Sequence, residues 1–328
     1  MKRTRDPQAG LKEKIVAQGI IPYASRVLVG VSGGADSTAL LHLLHALRHE
    51  LALDLIVVHY DHALRPGSHK DRRFVERMSR GLGLACLSEK NRGRCPRGSS
   101  VEDFAREKRF DFFVRAAKKT RADAVILAHT QDDLAETVLM RILRGTGLSG
   151  LRSMMPQRKI TGVLFLRPML DVTRAEVEAF LNKINVGHVE DPSNAGDAFL
   201  RNRIRHALIP YIARRFAPAI KEKLAELALN ASVDYDLIGT ALEKALNRTL
   251  KTGSHGVKVL MKPWKACPQP VRRMVLRAAV EKITRVQGSL PYRHAVLLER
   301  MALRSKTSRL SLPFAIEAVI SDKFITLS

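Results

Sequence analysis

The sequence has 328 residues, 45% of them hydrophobic, and 56 Lys/Arg against 32 Asp/Glu give it a formal net charge of +24. That length and apolar content suit two domains with packed cores and exclude a wholly disordered chain. No apolar run approaches the roughly 20 residues of a membrane span, and the basic start lacks the apolar core of a secretory leader, so a soluble cytoplasmic protein with no membrane partner is expected.

The first half alternates short apolar runs with helical patterns. "RVLVGV" (26–31) predicts a strand, followed by a helix from Thr38 to about Arg48. "LDLIVVHY" (53–60) predicts a second strand and 71–82 a helix. "LACLSE" (84–89) is a weaker strand, "NRGRCPRGSS" (91–100) a basic loop, and Ser100 an N-cap for a helix to about Lys119. "DAVILAH" (123–129) predicts a buried strand, 132–144 a helix ended by "RGTGLSGL", and "VLFLRPML" (163–170) a last strand. A helix over 171–184 follows, capped by Asp171 or Thr173. This alternation predicts an α/β fold, a doubly wound, mostly parallel, Rossmann-like sheet with helices on both faces.

The second half is helical and basic. Leu224, Leu227, Ala231, Tyr235, Ile238 and Leu242 recur at three- and four-residue steps and predict one apolar stripe on a long connector helix. An amphipathic helix is expected over 268–286, then short strands with a turn near Ser321-Asp322. These features predict domains over 1–215 and 216–328, the second smaller, mostly helical and ending in short strands. Residues 241–328 carry 17 Lys/Arg against 5 Asp/Glu, half of the chain's excess charge. Such an excess favours a polyanionic partner, nucleic acid first. Aromatic residues at 5% argue against a binder built mainly on stacking platforms. Cys86, Cys95 and Cys267 form no Cys-x-x-Cys pair, so neither a zinc cluster nor a disulfide framework is expected.

The densest signal is "SGGADS". Ser32, Gly33, Gly34, Ala35, Asp36 and Ser37 lie between the first strand and the first helix. Two glycines allow a tight turn, whose N–H groups converge on an anion at a helix N-terminus, with the serine hydroxyls as further donors. The Gly-Lys-Ser/Thr ending of the common nucleotide loop is missing. A carboxylate beside a phosphate requires a cation between them, so Asp36 points to Mg2+.

Ser-Gly-Gly-x-Asp-Ser after a first strand resembles the signature of the PP-loop ATP pyrophosphatases, in which the loop binds the pyrophosphate of ATP. Within that superfamily, "VHYDHALR" (58–65), "EDFAREKRFDFF" (102–113), "LAHTQDDLAETVLMRILRGTGLSGL" (127–151), "LRPMLDVTRAEVEAF" (166–180) and "EDPSN…RNRIRH" (190–206) resemble, in order, segments of the tRNA(Ile)-lysidine synthetases. The resemblance is strong over about 24–215 and weaker in the tail. It implies ATP as co-substrate and ligation of L-lysine to C2 of the wobble cytidine in a tRNA(Ile) with anticodon CAU, through an adenylated C2 oxygen. Members of the family can be homodimers. Many members carry His-His where this chain has His129-Thr130.

Asp36, Arg109 and His129 are the expected catalytic residues. His129 ends a strand where open α/β sheets place ligands, and its neutral ring could accept a proton from the attacking amine. Asp133 and Glu136 share one helical face; they are either helix N-terminal acids favoured by the dipole or, as the resemblance implies, the site of the lysine ammonium. Arg109 alone reads as a surface residue; the resemblance puts it against the intermediate or the lysine carboxylate. Arg201, Arg203 and Arg205 are expected near substrate and tRNA, and Arg272, Arg273 and Arg277 on tRNA phosphates. Two competing readings are a tRNA 2-thiolation enzyme of the same fold, disfavoured by the cysteine spacing, and a non-catalytic RNA-binding protein with a degenerate loop, disfavoured by the intact motif.

Overall fold

The computed structural model describes residues 7–63, 67–96, 100–190, 196, 200–253, 256–284, 286, 288, 290–304 and 307–328. Residues 64–65 of the second-strand stretch, 97–99 of the basic loop, most of the turn at 190–197 and the basic start of the chain lie outside them. The chain divides into two compact units, Met1–Ser232 and Val233–Ser328.

The first unit opens with helix α1 (Pro7–Ala17), which the sequence pattern did not announce because only Leu11 and Ile15 are buried along it. Then come β1 (Arg26–Gly30), α2 (Ala35–Leu47), β2 (Asp54–Asp61), α3 (Ser68–Gly81), β3 (Ala85–Lys90), α4 (Val101–Thr120), β4 (Ala124–Leu127), α5 (Gln131–Leu143) and the short α6 (Leu148–Leu151). The hairpin β5 (Gln157–Ile160) and β6 (Val163–Leu166) and helix α7 (Arg174–Lys183) follow. Next are α8 (Leu200–Arg203), a π-helical turn over Ile204–Leu208, α9 (Ile209–Arg215) and the long α10 (Ile220–Thr249), inside which the two units divide.

The strand order is β3–β2–β1–β4–β6–β5. All pairings are parallel except that of β5 with β6. Central parallel strands are covered on both faces and so read as continuous apolar runs. Val27 and Val29 of β1 pack into a core with α1, α2 and α7, while Leu28 between them packs with Phe112 and Phe113 of α4. The expected α/β class and doubly wound sheet are therefore observed.

Along α10 the buried positions in this unit are Leu224, Ala225, Ala228, Ala231 and Ser232, whereas Leu227 is 40% exposed. At 100° per residue these five centre on a direction that leaves Leu227 at the margin, which corrects the predicted stripe. Thr173, not Asp171, caps α7, with Glu176 closing a capping box.

The second unit holds an antiparallel sheet of order β7–β8–β11–β10–β9. Its elements are β7 (Leu250–Gly253), β8 (Gly256–Leu260), α11 (Met261–Lys265), α12 (Gln269–Thr284), α13 (Tyr292–Arg304), β9 (Ser308–Leu312), β10 (Ile316–Ile320) and β11 (Phe324–Leu327). Its core closes around Trp264, fully buried with Val275, Leu276, Leu298 and Ile325. Gly256 has φ +132°, and a Cβ there would lie 2.1 Å from the Leu327 carbonyl oxygen. Gly256→Ala is therefore expected to destabilise this unit by about 2–4 kcal/mol, the combined cost of a glycine-only backbone region and a clash that only backbone movement relieves. Urea denaturation followed by the fluorescence of Trp264, the chain's single tryptophan, checks this. Gly253→Ala, whose added methyl meets nothing within 4 Å, is the control that should leave the midpoint nearly unchanged.

Candidate active site

β1 is flanked by β2 on one side and β4 on the other, so the chain leaves the sheet in opposite directions on either side of it. A crevice at the carboxyl ends of the strands results, and open α/β sheets bind ligands there. The Ser32–Ser37 loop leaves β1 at this point. Gly33 has φ +97° and Gly34 opens α2 without any side-chain cap. The loop is braced from within. The Ser32 N–H donates to Ser37 Oγ at 3.1 Å, Ser37 Oγ donates to the Gly34 carbonyl at 3.0 Å, and Thr38 Oγ1 donates to the Gly33 carbonyl at 3.2 Å. The Val189 N–H donates to Gly33 O at 2.9 Å and ties the loop to the segment before the undescribed turn. The uncapped first turn of α2 keeps its N–H groups for an anion.

Asp36 receives Arg174 Nη1 on both carboxylate oxygens at 3.1 Å. Burial nevertheless raises its pKa to about 6; Arg174 opposes the rise and Asp133 adds to it. The loop and the acid pair on α5 thus share one electrostatic environment, to which Arg205 also belongs.

On α5, Thr130 caps the helix in a reciprocal box with Asp133: the Thr130 N–H donates to Asp133 Oδ2 at 3.0 Å. Thr130 is 2% exposed, and its hydroxyl fills a role there that fixes the rotamer of Asp133. The other oxygen, Asp133 Oδ1, accepts Arg201 Nη2 at 2.6 Å. Glu136, 1% exposed, accepts Arg201 Nε at 2.7 Å and Arg205 Nε at 2.5 Å. The π-helical turn begins between these two arginines, and both of them reach α5. The structure therefore brings Asp133, Glu136, Arg201 and Arg205 together as one cluster in which the carboxylates already face guanidinium groups.

A second group is almost purely cationic. Arg167, 3% exposed, donates Nη1 to the Met155 carbonyl at 2.8 Å and leaves its Nε buried without a hydrogen-bond partner among the described residues. Arg109 Nε and His129 Nδ1 are likewise buried and unpartnered among them. Burial first, then Arg106 and other neighbouring arginines, lower the pKa of both Arg109 and Arg167 to about 10. The same causes, burial and then Arg167, Arg109, Arg106 and Arg201, hold His129 well below its usual value, so its ring is neutral. Arg109 is thus half-buried within a cationic group with its Nε wholly covered, not the freely solvated surface residue its sequence neighbours suggest. At the end of β2, His59 Nδ1–H donates to the Val31 carbonyl at 2.8 Å, and His62 is pushed down to about 4 by burial and then Arg109. Sequence reasoning assigned no role to Arg167, Arg174, His59 or His62. Their signal was faint: His62 and Arg167 lie one residue past a strand's carboxyl end, His59 lies inside β2, and Arg174 opens α7.

Arg203 does not join the cluster; it is exposed on the opposite face of the α8–α9 segment. In the second unit, Arg272 and Arg273 do not stand free. Their Nε atoms donate to the two oxygens of the buried Glu299 at 3.0 and 2.6 Å, and Arg273 also reaches Tyr292 Oη. Arg277 is half-buried on the same helix. Among the described residues, no helix is long and apolar enough to cross a membrane.

A glycine loop with an uncapped helix at the switch point of a parallel sheet defines a PP-loop nucleotide-binding domain, and residues 8–212 match the PP-loop domain family, an ATP-binding family. The match extends well beyond the loop. The tRNA(Ile)-lysidine synthase of Geobacter sulfurreducens is 36% identical over 327 residues, covering 95% of this chain and 67% of that protein. The tRNA(Ile)-lysidine synthase of a Bradyrhizobium species is 35% identical over 292 residues, 85% of this chain and 81% of that protein. The chain belongs to the tRNA(Ile)-lysidine synthase family of PP-loop enzymes. It spans 57–67% of the length of several further relatives of the same name. A U34-tRNA thiolase from Methanococcus maripaludis shares the fold, with a TM-score of 0.60 over 68% of this chain and 78% of that one at 14% identity.

The raised pKa of Asp36 fixes the sign of a pH effect. Below its unfolded value near 3.8 the carboxyl is neutral in both states; as pH rises through about 6 the folded chain must bury its charge. The stability this group contributes is present below pH 4 and lost on the way to pH 7, by about 2–3 kcal/mol. Asp36→Asn is expected to be the more stable protein above pH 7 and equal to the parent below pH 4, measured by denaturant unfolding without nucleotide. Parallel curves at all pH values would show instead that Arg174 fully neutralises the charge.

Proposed function

We propose that the protein ligates L-lysine to C2 of the wobble cytidine of a CAU-anticodon tRNA(Ile), using ATP. The observation that carries this reading is the shared field of Asp36 on the phosphate loop and Asp133, Arg201 and Arg205 on the facing elements. On this reading the loop takes the pyrophosphate, and the neighbouring acid–arginine cluster takes the ammonium and carboxylate of lysine. In the first step the C2 oxygen of the cytidine attacks the α-phosphorus, the bond to the β-phosphate breaks, and pyrophosphate leaves. The uncapped N-terminus of α2 and the Ser32 and Ser37 hydroxyls hold the departing group. No lysine of a terminal-phosphate type is required, because the terminal phosphate is not transferred.

Mg2+ fits the donor set as a visitor that arrives with the nucleotide. Among the described residues no group of three His, Cys, Asp or Glu side chains could cage a metal, and magnesium is commonly held by one carboxylate and substrate phosphates. Asp36 would hold it, and the ion would neutralise charge on the pyrophosphate.

In the second step the ε-amine of lysine forms a bond to C2, the C2–O bond breaks, and AMP leaves with its electron pair while the amine gives up a proton. Asp133 and Glu136 orient the amine end of lysine. Arg201 and Arg205, which hold them before lysine arrives, stand where a carboxylate or a phosphodiester can receive them. Neutral His129 is available as the proton acceptor. Burial and then the neighbouring arginines make it a weak base, and the arginines' share of that effect weakens once an anionic nucleotide lies among them. Arg109 and Arg167 hold the adenylate phosphate. The basic second unit tracks the tRNA backbone through its exposed Lys and Arg residues.

Incubation with ATP, isotopically labelled lysine and CAU-anticodon tRNA(Ile) should give a wobble nucleoside carrying lysine, detected by mass spectrometry of the digested RNA. Labelled sulfur entering that nucleoside, and never lysine, would establish the thiolation reading instead. Asp36→Ala should abolish adenylation with tRNA binding retained. Asp133→Ala should raise the lysine concentration needed for half-maximal rate at least tenfold while leaving lysine-independent ATP–pyrophosphate turnover measurable; equal loss of tRNA binding in both variants would show both carboxylates to be misassigned.

A further inference from the structure

The α8–α9 segment has two working faces. Arg201 and Arg205 project from one onto Glu136. The other, stepping through Leu200, Arg203, Ala207, Tyr211 and Arg214, lines a separate, shallow open cleft of about 640 Å³ that Leu143 at the end of α5 also lines. Among the described residues no acidic side chain lines this cleft. Tyr211 is 50% exposed and meets the edge of Phe216, itself 73% exposed, at a ring separation of 5.9 Å and an angle of 61°. Ile142, Leu143 and Leu148, at 43–57% exposure, continue the apolar surface along the end of α5 and α6. Arg144, Arg203, Arg214 and Arg215 are exposed along the same two segments. Burial would ordinarily claim two neighbouring aromatic rings. Here both are held out, beside an apolar floor and among exposed guanidinium groups.

We propose that this cleft is a nucleobase site: it takes one unstacked base of single-stranded RNA against Tyr211, whose ring Phe216 buttresses from the side, with the adjoining phosphates on Arg203 and Arg214. Every base offers a π-face, and aromatic stacking with arginine on the backbone is the usual means of holding a splayed nucleotide. The cleft is shallow and open, which suits a base that stays joined to its backbone, and its rim carries the charge of a phosphate site. A second copy of this chain is a poor occupant, because its own +24 charge would meet an arginine rim of the same sign. The inference rests on the proposed RNA substrate and deepens it. The base would be a neighbour of the nucleotide that reacts, since the cleft is the reverse face of the segment that contacts the acid pair. The low aromatic content of the whole chain is no obstacle, because one base needs one platform.

The test uses the full chain, a synthetic anticodon stem-loop, and versions of that RNA with one abasic nucleotide at each loop position in turn. Tyr211→Ala should weaken stem-loop binding about tenfold at every salt concentration, with the salt dependence unchanged, and Tyr211→Phe should restore it. Arg203→Gln should weaken binding and lower the slope of log affinity against log salt by about one. One abasic RNA should bind the parent about tenfold more weakly and lose nothing further against Tyr211→Ala. A 4-thiouridine at that position should crosslink to the peptide containing Tyr211. If the parent binds and ligates lysine but Tyr211→Ala and every abasic RNA behave as the unmodified pair, this inference fails and the proposed function stands. If Tyr211→Ala instead converts a dimer to a monomer in sedimentation, the cleft is a protein interface. If the parent binds no stem-loop at all, both readings fall together.

Discussion

The two-sided parallel pairing of β1 is the constraint on which the rest depends. Val29 of β1 is in register with Val57 on one side and Ile126 on the other. The connections beyond those neighbours run to opposite faces of the sheet, which makes the carboxyl end of β1 the switch point where open α/β sheets bind ligands. The chain leaves the strand there through two glycines and starts a helix with no side chain to cap it. From that geometry come the anion-binding loop, the position of Asp36 in front of it, and the placing of β4, which delivers His129 and α5 beside it. Packing on both faces holds the arrangement: Val27 and Val29 in one core, Leu28 in the other.

The site gathers several guanidinium groups around few carboxylates. Arg109 and Arg167 each have a buried Nε without a hydrogen-bond partner among the described residues, and burial first, then Arg106, lies behind their lowered pKa values. Buried guanidinium groups without partners cost stability. Substrates that carry a triphosphate and a polynucleotide backbone offset this cost on binding, and the protein is correspondingly expected to gain stability from nucleotide by mass action. The opposite strain exists at Asp36, whose charge burial disfavours. Each group is unsatisfied in the sense that the complementary charge of a ligand would correct.

Much of this was legible in the sequence. The central strands β1, β2 and β4 announce themselves as apolar runs because both of their faces are covered. The phosphate loop announces itself because only glycine serves where the backbone must turn at positive φ. What escaped detection was exposed, sparse or non-local. β5 and β7 are largely solvent-facing and carry no alternating pattern, and α1 shows only two fully buried apolar residues in eleven. Leu227 was misread because hydrophobicity alone does not say which side of a stripe is the edge. At the site, single residues were visible but their partnerships were not. Arg174 meets Asp36 across 138 positions and Arg201 meets Asp133 across 68. No local spacing encodes either contact. Thr130 looked like a loss relative to a His-His pair and is a helix cap that also fixes the rotamer of Asp133.

The closed ring of Asp133, Glu136, Arg201 and Arg205 has a kinetic consequence. On the proposed reading, an incoming lysine ammonium would meet no bare carboxylates there; it would displace guanidinium groups that are covalently part of the same chain and therefore present at a high, fixed local concentration. Its affinity would be an exchange constant, the ratio of two ion pairings, and weaker than either alone. Such an exchange discriminates by shape more than by charge, because the displaced arginines must themselves find new acceptors. A ligand that supplies an anionic group of its own, beside its ammonium, completes the exchange; a simple amine leaves two cations stranded.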